Sequence, residues 1–212
     1  MTENNIGSPR WEKASSASID KQANVSEFAT VGRGTKVWGL TQIREHARVG
    51  AGCTVGRNVY LGPGVVVGDC CKIQNSALVY EPATLSSGVF IGPGAVLTND
   101  RFPRAINPDG SLKDGKDWEL VGVVVEEGAS IGAMAVCIGP VRVGQWAMVA
   151  AGAVVTEDVR NFSLVRGVPA KHVGWVGKAG ALLQESGGRF LCPVTGQEYT
   201  ESLGVLIAGR TS

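Results

Sequence analysis

The sequence predicts an all-β chain wound as a parallel β-helix of six-residue units, with one protruding loop. Three features of the chain lead there. Every sixth residue from Ile19 (Val25, Val31, Val37, and so on through Ile73, Val79, Leu85, Ile91 and Leu97) is Ile, Leu or Val. Four residues after each stands a small residue or a valine, as at Ala23, Ala29, Thr35, Cys53, Ala77 and Ala95. Glycine is abundant, at 30 of 212 residues, while aromatics make up only 6%. A helical period of 3.6 cannot hold a six-residue phase over this length, and strand alternation alone would not make every sixth position special.

One large aliphatic, one small partner and a glycine or polar residue between them describe a short strand and a corner. Three strands and three corners close one triangular turn. The aliphatic side chains then stack turn on turn, about 4.8 Å apart. Glycines beside the aliphatic positions (Gly50, Gly56, Gly62, Gly68, Gly92, Gly132, Gly144) suit bends that need unusual backbone angles. A shortage of aromatics fits a narrow core. The stack draws its stability from contacts between neighbouring turns.

The frame lapses after Leu97 and resumes at Val125, running on through Ile131, Cys137, Val143, Val149 and Val155. Residues 99–124 hold Pro103, Pro108, Gly110, Gly115, several charges and Trp118, and read as a functional loop anchored in the scaffold at both ends. Its Asp109-Gly110-Ser111 segment has the composition of a mobile tip. After Val159 the chain leaves the repeat. A short helix is expected up to Glu185, followed by a hairpin or extension over 187–212. The expected organisation is an N-terminal extension over 1–18, a β-helix over 19–160 and a C-terminal helix and tail over 161–212.

Lys and Arg number 20 against 19 Asp and Glu, a formal charge of +1, so no nucleic-acid or membrane-surface partner is expected. The start, Met1-Thr2-Glu3-Asn4-Asn5, shows no secretory signal, and Glu126, Glu127 and Arg142 break the apolar stretch over 121–155. Cys53, Cys70, Cys71, Cys137 and Cys192 lack zinc or disulfide spacing and read as reduced thiols in a cytoplasmic protein.

The hexads, the loop after Leu97-Thr98-Asn99 and the exit Val165-Arg166-Gly167-Val168-Pro169-Ala170-Lys171 resemble the hexapeptide-repeat acyltransferases over about residues 31–176. Lys72-Ile73-Gln74-Asn75, Gly92-Pro93, Thr98-Asn99, Pro103-Arg104 and Gly174-Trp175 are similar to the branch that acetylates 3-amino groups of nucleotide-linked sugars for bacterial surface polysaccharides. The resemblance implies a left-handed coil, a homotrimer and acetyl-CoA as cosubstrate in a groove between adjacent prisms, with no metal. It implies coenzyme contacts at Gly132, Ala133, Ala151, Gly152 and Lys171. It assigns substrate contacts to Asn75 and Arg104 and the catalytic role to Asn99, with Asp100 as the alternative base. Departures from the branch are Met134 in place of an asparagine, Gly39 and Gln42 in place of histidines, and Arg160 in place of a proline.

Many such enzymes use a loop histidine as base, and this chain's two histidines, His46 and His172, lie outside the loop. An amine with a pKa near about 8 is partly neutral at pH 7 and needs less help than a hydroxyl. Direct attack on a thioester is therefore the expected chemistry. An O-acetyltransferase would be expected to carry the loop histidine. A γ-type carbonic anhydrase needs three zinc-binding histidines. A non-catalytic solenoid explains the repeats but not the loop.

Overall fold

The computed structural model describes residues 16–209. Most of the N-terminal extension expected over 1–18 lies outside the described residues. Strands of two or three residues wind through three parallel sheets. Face one opens with Ser18–Ile19, Lys36–Val37 and Thr54–Val55; face two with Asn24–Val25, Gln42–Ile43 and Tyr60–Leu61; face three with Thr30–Val31, Arg48–Val49 and Val66–Val67. Each strand pairs in register with its counterpart one turn on, as in Ile19↔Val37↔Val55 and Ile43↔Leu61↔Val79. The second residue of each strand points inward. From Val37 onward these residues form one continuous core with their small partners, including Ile73, Leu97, Ala95 and Ala135. Ile19, in the first described turn, is 47% exposed because no described turn covers it.

Small polar residues enter this core because the turns give them partners. Thr35 Oγ1 donates to the Gly50 carbonyl (2.7 Å) and accepts the Cys53 N–H (2.9 Å). The Cys53 and Cys71 thiols donate likewise to Gly68 and Ser86 carbonyls at 3.2 and 3.1 Å. A buried hydroxyl or thiol so satisfied carries little penalty.

The glycines beside the inward aliphatics have a different role from the one expected. The left-handed backbone falls two residues later, at Leu40, His46, Asn58, Ser76, Met134 and Trp146, with φ between 56° and 61°. The flanking glycines are required by close approach instead. A Cβ on Gly92 would lie 2.5 Å from the Ala133 nitrogen, and one on Gly56 2.7 Å from the Asn75 nitrogen.

The loop departs after Leu97 and ends earlier than expected, since Val123–Val125 is already a strand of face three, paired with Thr84–Leu85. At the other end the expected helix is absent from the described residues. Ser163–Arg166 still pairs with Met148–Val149, extending face one past residue 160, and Lys171–Trp175 returns antiparallel upon it. Gly174, Gly177 and Gly180 disfavour a helix here, while pairing with an open sheet edge supplies the backbone with partners. Residues 184–208 form a four-stranded antiparallel sheet in place of a simple hairpin. Its inner side buries Tyr199, Leu206 and Cys192 against Phe162, Trp175 and Leu183.

Replacing Ile73, fully buried, with Asp strands a charge in the stack and should abolish the cooperative thermal transition. Thr84→Asp, on the exposed side of a neighbouring strand, should shift Tm by only a few degrees. Calorimetry on both variants checks the inward assignment.

Candidate active site

The edge between faces one and two collects five of the residues singled out in the sequence. Arg57, Asn75, Pro93, Ala133 and Ala151 occupy one column along it, each at the second position after an inward residue of face one. At several corners of the prism the N–H is taken by a side chain one turn on. Asn75 Oδ1 accepts the Arg57 N–H at 2.9 Å, Asp69 Oδ1 that of Ala51 at 2.7 Å, and Asn161 Oδ1 that of Gln145 at 2.9 Å. Ala133 is followed by Ala151, which has no acceptor to offer, and Ala151 itself is followed by none. Among the described residues neither N–H has a partner. Gly132 and Gly152 flank this pair and add no side-chain bulk. The edge therefore presents two outward backbone donors, one turn apart, on a low surface. The glycine at 132 is also demanded by packing, because a Cβ there would collide with the backbone at Ala151.

The edge between faces two and three carries the loop. Its two arms are held together by the Asp100↔Leu120 and Ile106↔Leu112 bridges, and the Val121 N–H donates to the Asn99 carbonyl at 3.1 Å. The tip is a formed turn: Asp109 Oδ1 accepts from the Ser111 N–H and hydroxyl at 2.9 and 2.7 Å. Asp117 Oδ2 accepts from the Asp114 N–H (2.9 Å) and the Asn107 amide (3.1 Å), and these bonds hold its carboxyl below the usual range. Phe102, Ile106 and Leu112 on the loop are exposed.

At the loop base Asn99 is half-buried. Asp100 Oδ1 is engaged by the Phe102 N–H at 2.8 Å. Arg104 projects into solvent and touches only the Pro103 carbonyl, at 2.9 Å. Directly one turn toward the N-terminus from Asn99 stands Glu81, since Val79 pairs with Leu97. Its Oε2 is buried and without a hydrogen-bond partner. The carboxylate lies over Gly62 and, after burial itself, is the main cause of the raised pKa of Tyr60. Glu81 was missed in the sequence, although its place eighteen residues before Asn99 was readable once the turns are aligned in columns.

The histidines stand apart from this group. His46 shares the edge but lies three turns from Asn99, about 14 Å along the axis, with its ring 5.8 Å from Phe28. His172 lies beyond the last turn, with Nδ1 2.6 Å from Ser163 Oγ and its ring 4.6 Å from Trp175. Burial, followed by the Arg160 charge, lowers its pKa. Lys171 sits 3.4 Å from Glu157 on the exposed surface of the last turn. No cluster of His, Cys, Asp or Glu fit to hold a metal ion occurs among the described residues.

Apart from Lys171, the predicted residues therefore fall into two groups on opposite edges of face two: Asn75, Gly132, Ala133, Ala151 and Gly152 on one, and Asn99, Asp100 and Arg104, joined by Glu81, on the other. A single chain does not bring them together. Between them the outward side chains of face two are Asn24, Gln42, Tyr60, Leu78, Val96, Val136 and Val154, apolar from Leu78 onward, whereas face one mixes Lys36, Thr54, Lys72 and Ser130 with Phe90, Met148 and Leu164.

Residues 46–81 and 122–157 match the family described as the hexapeptide repeat of succinyl-transferase. Over 83 residues the chain is 35% identical to a dTDP-3-amino-3,6-dideoxy-alpha-D-galactopyranose 3-N-acetyltransferase of Aneurinibacillus thermoaerophilus, covering 39% of this chain and 43% of that protein. Over 51 residues it is 51% identical to a 2,3,4,5-tetrahydropyridine-2,6-dicarboxylate N-acetyltransferase of Staphylococcus aureus, covering 24% of this chain and 21% of that protein. The chain thus spans less than half the length of these curated relatives. Among solved structures, the acetyltransferase domain of PglB from Neisseria gonorrhoeae superposes with a TM-score of 0.51 at 23% identity. That match covers 76% of this chain and 58% of that one, and the same domain is known in complex with acetyl coenzyme A. With the matched blocks lying on either side of the loop and the same coil running through both, the chain is a hexapeptide-repeat β-solenoid.

Proposed function

We propose that this protein transfers an acetyl group from acetyl-CoA to the amino group, at C3, of a nucleotide-linked amino sugar destined for surface polysaccharide. The observation that carries the reading is the pair of outward N–H groups at Ala133 and Ala151 on an edge of alanine and glycine beside the exposed Met134. A pantetheine arm carries two amide groups, and carbonyl acceptors of that kind fit donors repeated at the turn spacing. The Aneurinibacillus relative, a 3-N-acetyltransferase acting on a dTDP-linked amino sugar, supports the acceptor class.

Completing the site requires a second copy of the chain. The apolar outward stripe of face two and the exposed Phe102, Ile106 and Leu112 of the loop favour self-association over exposure to water. In a homotrimer, the loop edge of one subunit faces the donor edge of its neighbour. Asn99 and Glu81 are then brought to the acyl donor held along Ala133 and Ala151.

Within that site the amine attacks the thioester carbonyl as the neutral base. The Asn99 amide orients it or donates to the developing oxyanion. Glu81, half-buried with only Oε2 enclosed, accepts a hydrogen bond from the amino group through its other carboxylate oxygen. Nitrogen gains the acyl bond and loses a proton, sulfur loses the acyl bond and leaves as the thiol. Asp100 is a weaker candidate for proton removal, because one of its oxygens is already held by the loop backbone.

Four outcomes follow for steady-state kinetics with acetyl-CoA and a panel of amino-sugar nucleotides. Asn99→Ala should lower kcat roughly 10- to 1000-fold, while His46→Ala, His172→Ala and Asp100→Asn keep most of it. Near-complete loss in either histidine variant rejects the mechanism. Glu81→Gln should raise KM for the amino sugar about 10-fold, the scale of a hydrogen bond to a charged group, without lowering Tm. Wild-type kcat/KM should rise with pH toward the substrate amine's pKa.

Sedimentation should give a trimer; a fully active monomer would contradict the shared site. Ala133→Pro should impair coenzyme A binding without unfolding the chain, since Pro93 already occupies the same column one turn earlier.

A further inference from the structure

The donor edge continues past the acyl-donor residues toward the N-terminus, and there its character changes. At the first position after the inward residue of face one the column reads Asp20, Trp38, Gly56, Gln74, Gly92, Gly132. Gly56 leaves a gap one turn high between the Trp38 and Gln74 side chains. A Cβ at Gly56 would meet Asn75 Oδ1 at 2.6 Å, so the gap is fixed by packing. The result is a depression of about 270 Å³ walled by Trp38, Arg57, Gln74 and Asn75, with Thr54 on its floor.

Two features of this depression are unexplained by the fold. Trp38 is 54% exposed, in a chain where aromatics are scarce and the next turn has glycine at its position. Arg57 stands in the wall, and Lys36 and Lys72 flank Thr54 on face one in register with it. None of these three cations is in an ion pair among the described residues. Asp20, one turn below Trp38 in the same column, and Asp69 on the edge that precedes face one are engaged by backbone N–H groups, of Gln22 at 2.8 Å and of Ala51 at 2.7 Å. An open indole beside uncompensated cations is complementary to a flat heterocycle carrying phosphates.

We propose that this depression binds the nucleoside diphosphate of the acceptor. The base lies against Trp38, and the diphosphate is held by Arg57 with Lys36 and Lys72. Asn75 Oδ1 is occupied by the Arg57 N–H, which leaves its amide N–H₂ and both ends of the Gln74 amide to read the base edge. The inference rests on the acyl-transfer reading and adds to it a direction: acceptor at the N-terminal end of the edge, acyl donor at the C-terminal end. The acceptor's sugar then extends toward the Pro93–Ala133 level, where the neighbour's Asn99 would meet it.

The test is titration calorimetry of UDP, dTDP and inorganic pyrophosphate against the full chain, with coenzyme A titrated in parallel. At least one of the two nucleotides should bind. Trp38→Ala should weaken it roughly 5- to 150-fold, the range for loss of one base–aromatic stack, while Trp38→Phe retains most of the affinity. Pyrophosphate should be insensitive to Trp38 and weakened by Arg57→Ala. Coenzyme A affinity and Tm should be unchanged in all three variants. Binding of coenzyme A without either nucleotide, or nucleotide affinity indifferent to both Trp38→Ala and Arg57→Ala, overturns this site and leaves acyl transfer standing. Failure of the wild type to bind coenzyme A overturns the underlying function instead.

Discussion

The whole molecule depends on how closely one turn of the coil can approach the next. Parallel pairing sets the turns about 4.8 Å apart, and at that spacing a side chain at the first corner position is often impossible. Gly92 and Gly132 are required there because a methyl group would strike the backbone of the following turn. Once the spacing is set, every column along the prism becomes a ladder. Inward columns stack aliphatics on aliphatics, and corner columns at Ala51, Arg57, Asp69 and Gln145 pass the N–H to an acceptor one turn on. The residue types allowed at a position are therefore decided mainly by what stands eighteen residues before and after it.

Function enters where a ladder is left incomplete. At Arg57 the corner N–H is satisfied by Asn75; at Ala133 and Ala151 the acceptor is missing, and a backbone donor is released to a ligand. At Glu81 one carboxylate oxygen is buried over Gly62 without a partner, a cost the fold alone gives no reason to bear. At Leu97 the coil itself is interrupted, and a braced hairpin leaves the prism. These departures lie on two edges separated by the apolar stripe of face two. The proposed assembly joins them, and the stripe is what would hold it together.

Much of this was legible in the sequence because the period is local and unusually strict. The inward set, from Val37 through Ile73 to Val155, follows from counting by six, and the loop announces itself where Pro103, Pro108 and charged residues replace the aliphatics. The core hydroxyls and thiols at Thr35, Cys53 and Cys71 also fall at the small-partner position, so their burial needed no separate signal. What counting by six does not give is the vertical neighbour. Asn75 was singled out as a substrate contact, yet its carboxamide oxygen serves the ladder. Glu81 was passed over because its importance lies one turn from Asn99. The C-terminal segment was misjudged for a related reason: Lys171–Trp175 is a strand only because the open edge of Ser163–Arg166 is there to receive it, and such pairing is invisible to local propensity.

The central claim is that the loop edge of one chain and the donor edge of another form each site. It is tested most directly by coexpressing two impaired chains, one carrying Asn99→Ala and the other Ala133→Pro, and measuring acetyl transfer by the purified mixed oligomers. In a randomly mixed ring, an interface with an intact loop edge and an intact donor edge forms about one time in four. The account predicts recovery to roughly a quarter of wild-type activity. Activity no greater than that of the two variants assayed separately would mean that each chain works alone, and would contradict it.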